Sequence, residues 1–164
     1  MRLTFTGWER SDDLQRDRTE SRHAFMAMAF NQPELEGVFT RCFRPAAKDA
    51  GFDLRRLTDG QGAGLIDAQL RVRIRSAKFL VADLSTANRG AYWEAGFAEG
   101  LGRPVIYVCE KAVWSHPDHA QRPHFDTNHL NTVRWSHSDL PRARQQLADM
   151  IRDTFPTEAL MVTD

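Results

Sequence analysis

Three side chains that can do chemistry, Asp83, Asn88 and Glu94, lie within one short stretch of the chain. Asp83 follows the apolar run 79–82, and Asn88 and Gly90 fall in the polar loop before the small-residue segment that carries Glu94. An ionised carboxylate can act as a nucleophile or stabilise a cationic transition state, and sugar chemistry through an oxocarbenium ion needs one of these roles. An asparagine offers a donor and an acceptor to a ribose or a base edge. The stretch therefore predicts a function as well as a fold.

Helical spacing separates Glu94 from an ordinary surface glutamate. Ala91, Ala98 and Leu101 share its stripe at spacings of three, four and seven residues, whereas Glu99 falls away from that stripe. A buried glutamate is costly unless it is paired or functional. Because a helix N-terminus favours an anion, we expect Glu94 to stay ionised at neutral pH.

Each of these residues also has a purely structural interpretation. Asp83 can cap a turn, Asn88 can serve a left-handed backbone conformation, and Glu94 can pair with Arg73 or Arg103. Taken together, at the end of a strand and on a buried stripe, the three favour a binding site.

Strand-like and helix-like segments alternate along the chain, and this order predicts how the three residues are positioned. The pattern favours one α/β domain with a four- to five-stranded parallel sheet flanked by helices, preceded by an extension over residues 1–22. Pro45 should kink or break its helix near Arg44, and Ser138 can cap the last helix. The predicted strands are 24–30, 52–57, 79–83, 105–109 and 132–135, and the predicted helices are 34–50, 65–76, 91–101 and 139–155.

Bulk composition limits the class of protein. The chain has 164 residues, and its 22 basic residues equal its 22 acidic residues in number, which argues against a nucleic-acid binder. The sequence has no signal-peptide pattern and no apolar run of about 18 residues, so we expect a cytoplasmic protein without a membrane partner. Cys42 and Cys109 lie in apolar surroundings, so we expect both to be reduced residues of the core rather than partners in a disulfide.

Two loops carry weaker signals. Four histidines and Asp126 crowd the segment 111–131, but none of their spacings matches a known ligand motif, so no metal site is expected. Asp126 and His129 are candidate loop contributors to a ligand site. The glycine-rich run 60–64 lacks the lysine-serine ending of a phosphate loop and is more typical of a mobile loop over a pocket.

These motifs resemble the nucleoside 2-deoxyribosyltransferase-like superfamily, whose architecture is flavodoxin-like and related to TIR domains. The match covers roughly residues 24–110. Its most specific element is the Gly-x3-Glu-x-Gly pattern at Gly90, Glu94 and Gly96, followed by a Gly-x-Pro-Val motif. The segments that carry the resemblance are 25–30, 81–84, 88–98 and 102–106.

The resemblance implies a role for each matching residue. Glu94 falls at the family's nucleophilic glutamate, which attacks C1′ and forms a glycosyl-enzyme intermediate. Asn88 falls where true transferases usually carry an aspartate, and an amide cannot help to transfer a proton to the leaving base. The predicted substrate-binding residues are Met28, Phe30, Asp83, Asn88, Gly90 and Tyr92.

Three functions remain open from the sequence. The leading hypothesis is a hydrolase or transferase that acts on the N-glycosidic bond of a nucleoside, nucleotide or related cofactor through the Glu94 carboxylate. The second is a non-catalytic nucleotide-binding sensor or interaction module, and the third is a TIR-like NAD-cleaving domain in defence or signalling. All three imply a small-molecule nucleoside or nucleotide partner and no resident cofactor, and the resemblance implies a homo-oligomer.

Overall fold

A computed structural model of the protein describes residues 21–56, 66–86, 88–124, 130 and 132–160. Five strands and six helices occupy this part of the chain. The strands are β1 (His23–Ala27), β2 (Asp53–Arg55), β3 (Leu80–Asp83), β4 (Val105–Glu110) and β5 (Thr132–Trp135). The helices are α1 (Pro33–Val38), α2 (Arg44–Asp49), α3 (Ile66–Ser76), α4 (Arg89–Gly100), α5 (Lys111–Trp114) and α6 (Leu140–Thr154).

The five strands form one parallel sheet in the order β2-β1-β3-β4-β5. Helices flank the sheet, because each parallel neighbour is reached by a crossover connection. The predicted α/β fold is therefore confirmed, and the architecture is consistent with a flavodoxin-like fold. β1 stops at Ala27, three residues before the predicted end at Phe30, because its pairing with β3 ends at the Ala27–Ala82 register.

Alternate residues of the central strands serve two cores, one on each face of the sheet. Met26 and Val81 join the core beneath α1, α2 and α6, whereas Phe25 and Ala82 join the core beneath α3 and α4. Both faces are buried, which explains why these strands are continuous apolar runs in the sequence.

Three phenylalanine rings close the amino edge of the first core. Phe52 and Phe79 precede β2 and β3, and Phe155 follows α6. The ring centroid of Phe79 lies 5.2 Å from that of Phe52 and 5.2 Å from that of Phe155. This cluster fixes the C-terminal end of α6 at the amino edge of the sheet.

The helix predicted over residues 34–50 is continuous but not uniform. A π-helical stretch over Phe39–Phe43 joins α1 to α2, and Pro45 lies at the start of α2. The wider turn before Pro45 accommodates the missing proline N–H without breaking the helix, so the predicted distortion lies just before Arg44.

The predicted cap at Ser138 is wrong. Asp139 occupies the N-cap position of α6 and makes no side-chain capping bond. Ser138 belongs instead to a 3₁₀ turn over His137–Asp139, where its hydroxyl lies 3.1 Å from that of Ser136.

The two cysteines, Cys42 and Cys109, are buried free thiols, as predicted. No helix in the described part of the chain is long and apolar enough to cross a membrane. The extension over 1–20, the glycine-rich run 60–64, and Asp126 with His129 lie outside the described residues.

Truncating Phe79 tests the three-ring cluster. Phe79 is fully buried, so Phe79→Ala should lower the free energy of unfolding by about 3–5 kcal/mol in urea denaturation. The control is Val72→Ala, because Val72 is 61% exposed and its change should stay within about 0.5 kcal/mol. Equal losses in the two variants would contradict the role of the cluster.

Candidate functional site

The candidate site lies at the carboxyl edge of the sheet, where β3 passes into α4. Ligands of open α/β sheets bind at this edge. Asn88 is the N-cap of α4, and its Oδ1 accepts the N–H of Gly90 at 3.0 Å. A Cβ at Gly90 would lie 3.1 Å from that same oxygen, so the glycine leaves room for the cap. The start of α4 is therefore fixed by a local bond, and this bond orients the helix that carries Glu94.

Glu94 is nine-tenths buried, with 8% of its surface exposed. It shares the buried face of α4 with Ala91, Ala95 and Ala98, so the predicted position on the apolar stripe is confirmed. Glu99 is exposed on the same helix, and it accepts a hydrogen bond from the Tyr107 hydroxyl at 2.9 Å. Glu94, by contrast, has no hydrogen bond or ion pair within the described residues.

The predicted alternative partners of Glu94 bind elsewhere. The Arg73 guanidinium donates to the carbonyl oxygen of Arg56 at 3.0 Å, and the Arg103 guanidinium donates to the carbonyl of Arg75. Neither arginine forms an ion pair with Glu94 in the described part of the chain. The structural interpretation of Glu94 as half of a salt bridge therefore has no support.

Burial raises the pKa of the Glu94 carboxyl to about 7. The start of the helix therefore does not keep the pKa of this carboxyl at its ordinary value. α4 begins at Arg89, and the favourable effect of a helix N-terminus on an anion falls off within the first turn. Near pH 7 the Glu94 carboxyl is consequently divided between its protonated and ionised forms.

Asp83 is also a buried carboxyl, but hydrogen bonds surround it. Its Oδ1 accepts the backbone N–H of Ser85 at 2.9 Å, and its Oδ2 accepts the Ser85 hydroxyl at 2.9 Å and the Trp135 indole N–H at 3.4 Å. The Ser85 hydroxyl oxygen in turn accepts the backbone N–H of Glu110 at 2.8 Å. We call these four residues the Asp83 network. It joins the carboxyl ends of β3, β4 and β5.

The Asp83 network changes how the predicted role of Asp83 is interpreted. Burial raises the pKa of Asp83 to about 6, while the hydrogen bonds from Ser85 and Trp135 oppose this shift. Both carboxylate oxygens are bonded within the protein, so the group holds the loop before α4. Direct contact between Asp83 and a substrate stays a prediction.

Sequence reasoning missed Ser85 and Glu110, although one signal was present. An aspartate followed two residues later by serine is typical of a turn in which the carboxylate accepts the serine N–H. Thr86 extends the same loop, and its hydroxyl oxygen is buried without a hydrogen-bond partner among the described residues. Buried polar atoms are nearly always bonded, so this hydroxyl is an exception in the loop.

The other predicted site residues lie in different surroundings. Met28 is buried and Phe30 is half exposed, and both follow β1 at the carboxyl edge beside β3. Tyr92 is partly buried on α4, and its hydroxyl oxygen accepts the backbone N–H of His124 at 3.0 Å. This bond ties the loop after α5 to α4.

Two cavities lined by described residues lie away from Glu94. One of about 520 Å³ runs between β5 and α6, and one of about 260 Å³ lies against the start of β1 near His23 and Arg55. No group of three or more potential metal ligands occurs among the residues that the structure describes.

No family model matches the sequence, and no curated protein matches it. The assignment of a function therefore depends on the geometry and chemistry of these residues.

Replacing Glu94 by glutamine tests the burial of its charge. A folded-state pKa of about 7 lies above the ordinary 4.5, so stability is lost as the pH rises through this window. Glu94→Gln cannot ionise, so its stability advantage should grow by roughly 2–3 kcal/mol between about pH 4.5 and pH 8.

Denaturation at several pH values measures this difference. Glu99→Gln is the matched control on the same helix, because it makes the same change at an exposed position. If the difference in free energy of unfolding between Glu94→Gln and the wild type stays constant across this pH window, folding does not raise the pKa of Glu94.

Proposed function

We propose that this protein cleaves the N-glycosidic bond of a nucleoside, nucleotide or related cofactor. The Glu94 carboxylate would act at C1′ of the sugar, as nucleophile or as stabiliser of the oxocarbenium ion. The observation that carries this proposal is a carboxyl that is nine-tenths buried, lies on an alanine stripe and has no partner among the described residues.

A buried carboxyl without partners is costly for folding. Such a group gains a partner when a ligand with a developing positive charge binds beside it. An oxocarbenium-like sugar is such a ligand, and it would pull the pKa of Glu94 down from about 7 by favouring the ionised form. The environment thus suits a group that is paired in the transition state rather than in the free protein.

The proposed reaction has two steps. In the first, a Glu94 oxygen bonds to C1′ while the C1′–N bond breaks, and the base leaves with the bonding pair and takes up a proton from solvent water. In the second, the oxygen of water or a nitrogen of a second base bonds to C1′ while the C1′–O bond to Glu94 breaks, which releases the Glu94 carboxylate, and the attacking group gives its proton to solvent water. Water gives hydrolysis, and a second base gives transfer.

The β3–α4 loop supports the site beside Glu94. The Asp83 network fixes the beginning of this loop, and the Asn88 cap fixes its end. The hydrogen bonds at the strand end and at the helix start thus position the loop that leads to Glu94.

The proposal extends to the ligand and the compartment. A small-molecule nucleoside or nucleotide is the expected partner, and the chemistry needs no resident cofactor. Two buried free thiols and a balanced charge suit a cytoplasmic protein.

A panel of nucleosides, nucleotides and NAD tests the proposed activity, with the free base measured by chromatography. The wild type should release base from at least one substrate, and Glu94→Gln should lower that rate by more than about 100-fold. Glu99→Gln should retain the wild-type rate, because Glu99 lies on the exposed side of α4. Equal rates in the wild type and Glu94→Gln would refute the proposal.

One arm of the panel separates the third hypothesis from the first. Release of nicotinamide from NAD, without release of base from simple nucleosides, would select the TIR-like NAD-cleaving activity. Both activities would use Glu94, so Glu94→Gln cannot distinguish them. The identity of the substrate that is cleaved distinguishes them.

The geometry of Asn88 favours one alternative, a sensor that binds a nucleotide without cleaving it. Asn88 commits its Oδ1 to the N–H of Gly90, and its amide cannot carry a proton to a leaving base. An aspartate at this position is what the resemblance associates with transfer. A chain that lacks this carboxylate can still bind a nucleotide, but it has lost a group that could transfer a proton to the leaving base.

Thermal unfolding in the presence of each nucleotide distinguishes the sensor from the enzyme. For a sensor, one nucleotide should raise the unfolding midpoint by a few degrees without any release of base. Asn88→Asp keeps a capping oxygen, so it should retain the fold and gain base release if the missing carboxylate alone prevents turnover. The absence of stabilisation by every nucleotide would count against the sensor.

A further inference from the structure

A cleft of about 520 Å³ lies along the outer edge of the sheet, between β5 and α6. We call it the edge cleft. It is independent of the proposed site at Glu94. Its walls include Lys111, Val133, Arg142, Gln146, Asp149 and Asp153.

Within the described part of the chain, no strand pairs with the backbone of β5 on the side of the edge cleft. β5 is the last strand of the sheet and pairs on its inner side with β4. No described residue hydrogen-bonds to its outer side. An open strand edge is a template for pairing with another strand.

The opposite edge of the sheet is blunted by charge. Asp53 of β2 lies 2.6 Å from the Arg55 guanidinium and 3.6 Å from the His23 ring. Charged side chains on an edge strand discourage pairing. β5 carries one such side chain, Arg134, which is exposed and lies with its guanidinium carbon 4.9 Å from the centroid of the Trp114 ring.

Charges in the edge cleft are segregated along its length. α6 begins just after β5 at the carboxyl edge and ends at the amino edge, where Phe155 contacts Phe79. Arg142 therefore lies toward the carboxyl edge, as does Lys111, which follows β4. Asp153 lies at the other end.

The charges at the ends of the cleft have no ion-pair partner among the residues that the structure describes. Lys111, Arg142 and Asp153 form no ion pair with any described residue, while Asp149 pairs with Arg152 at 2.9 Å. One end of the cleft is thus cationic and the other is anionic, with Gln146 and Met150 near the middle. The cleft suits an occupant of the reverse polarity.

We propose that a second copy of this chain occupies the edge cleft, with the two β5 strands paired antiparallel about a two-fold axis. Such an axis is perpendicular to the sheet, so both copies of α6 lie side by side on one face and run in opposite directions. Arg142 then faces the partner's Asp153, and Asp153 faces the partner's Arg142. The sheet becomes one continuous ten-stranded sheet, twice the five strands of one copy.

The polarity of the cleft selects this arrangement over its alternatives. Parallel pairing of the two β5 strands would bring the cationic ends together and the anionic ends together. Two-fold pairing places the cationic end of each cleft against the anionic end of the other. The assembly stops at two copies, because each copy uses its β5 edge in the contact.

Charge exchange tests the proposal by sedimentation in low salt at micromolar concentration. The wild type should be a dimer. Arg142→Glu and Asp153→Arg should each raise the dissociation constant by about tenfold or more, because each creates two like-charge contacts. The matched control is Lys48→Glu, since Lys48 is an exposed cation on α2 and its reversal should leave the dimer unchanged.

Two combinations make the test specific for the predicted pair. An equimolar mixture of the two single variants should form a heterodimer, since the carboxylate introduced at position 142 of one copy then meets the guanidinium introduced at position 153 of the other. The double variant Arg142→Glu/Asp153→Arg should regain the dimer for the same reason. Circular dichroism checks that every variant is folded.

The proposal fails if the wild type is a monomer at about 100 μM, a concentration at which a specific dimer interface is expected to hold. It also fails if the wild type is a dimer that neither single variant weakens, because the interface then lies elsewhere. If both single variants dimerise more weakly and their equimolar mixture does not form a heterodimer, the antiparallel pairing of Arg142 with the partner's Asp153 is wrong.

Discussion

The hydrogen bonds to the Asp83 carboxylate are the constraint on which the carboxyl edge depends. They come from Ser85 on the following loop and from Trp135 at the end of β5, and the Ser85 hydroxyl also binds the backbone of β4. Three strand ends and one loop are thereby held by a single buried group. Because that loop leads directly into α4, the same bonds set where Glu94 meets the sheet.

The two buried carboxyls on either side of this loop have opposite roles. Asp83 is buried and bonded, so its desolvation is offset by donors of the protein. Glu94 is buried and unbonded, so its desolvation is offset by nothing in the described residues. The first carboxyl stabilises the arrangement of the strand ends, and the second carries a desolvation cost that no described residue offsets.

Local spacing predicted the features that depend on neighbouring residues. The spacing of small apolar residues on α4 predicted that Glu94 is buried, and β5 spans the residues that the sequence predicted for it. Local spacing could not predict contacts between distant segments. The indole of Trp135 binds a carboxylate 52 residues away, and β1 ends at Ala27, where its pairing with β3 ends. The cap at Ser138 failed because a 3₁₀ turn occupies that position. The raised pKa of Glu94 follows from depth of burial, which spacing alone does not measure.

The alanine stripe around Glu94 has a consequence for how this chain can drift. Ala91, Ala95 and Ala98 bring α4 close to the sheet, and a neutral side chain in place of Glu94 would fit that surface at lower cost. Selection for folding alone would favour an uncharged replacement such as glutamine, which has no charge to bury. Under the proposed function, position 94 is therefore where a loss of selection for activity would become visible in the sequence.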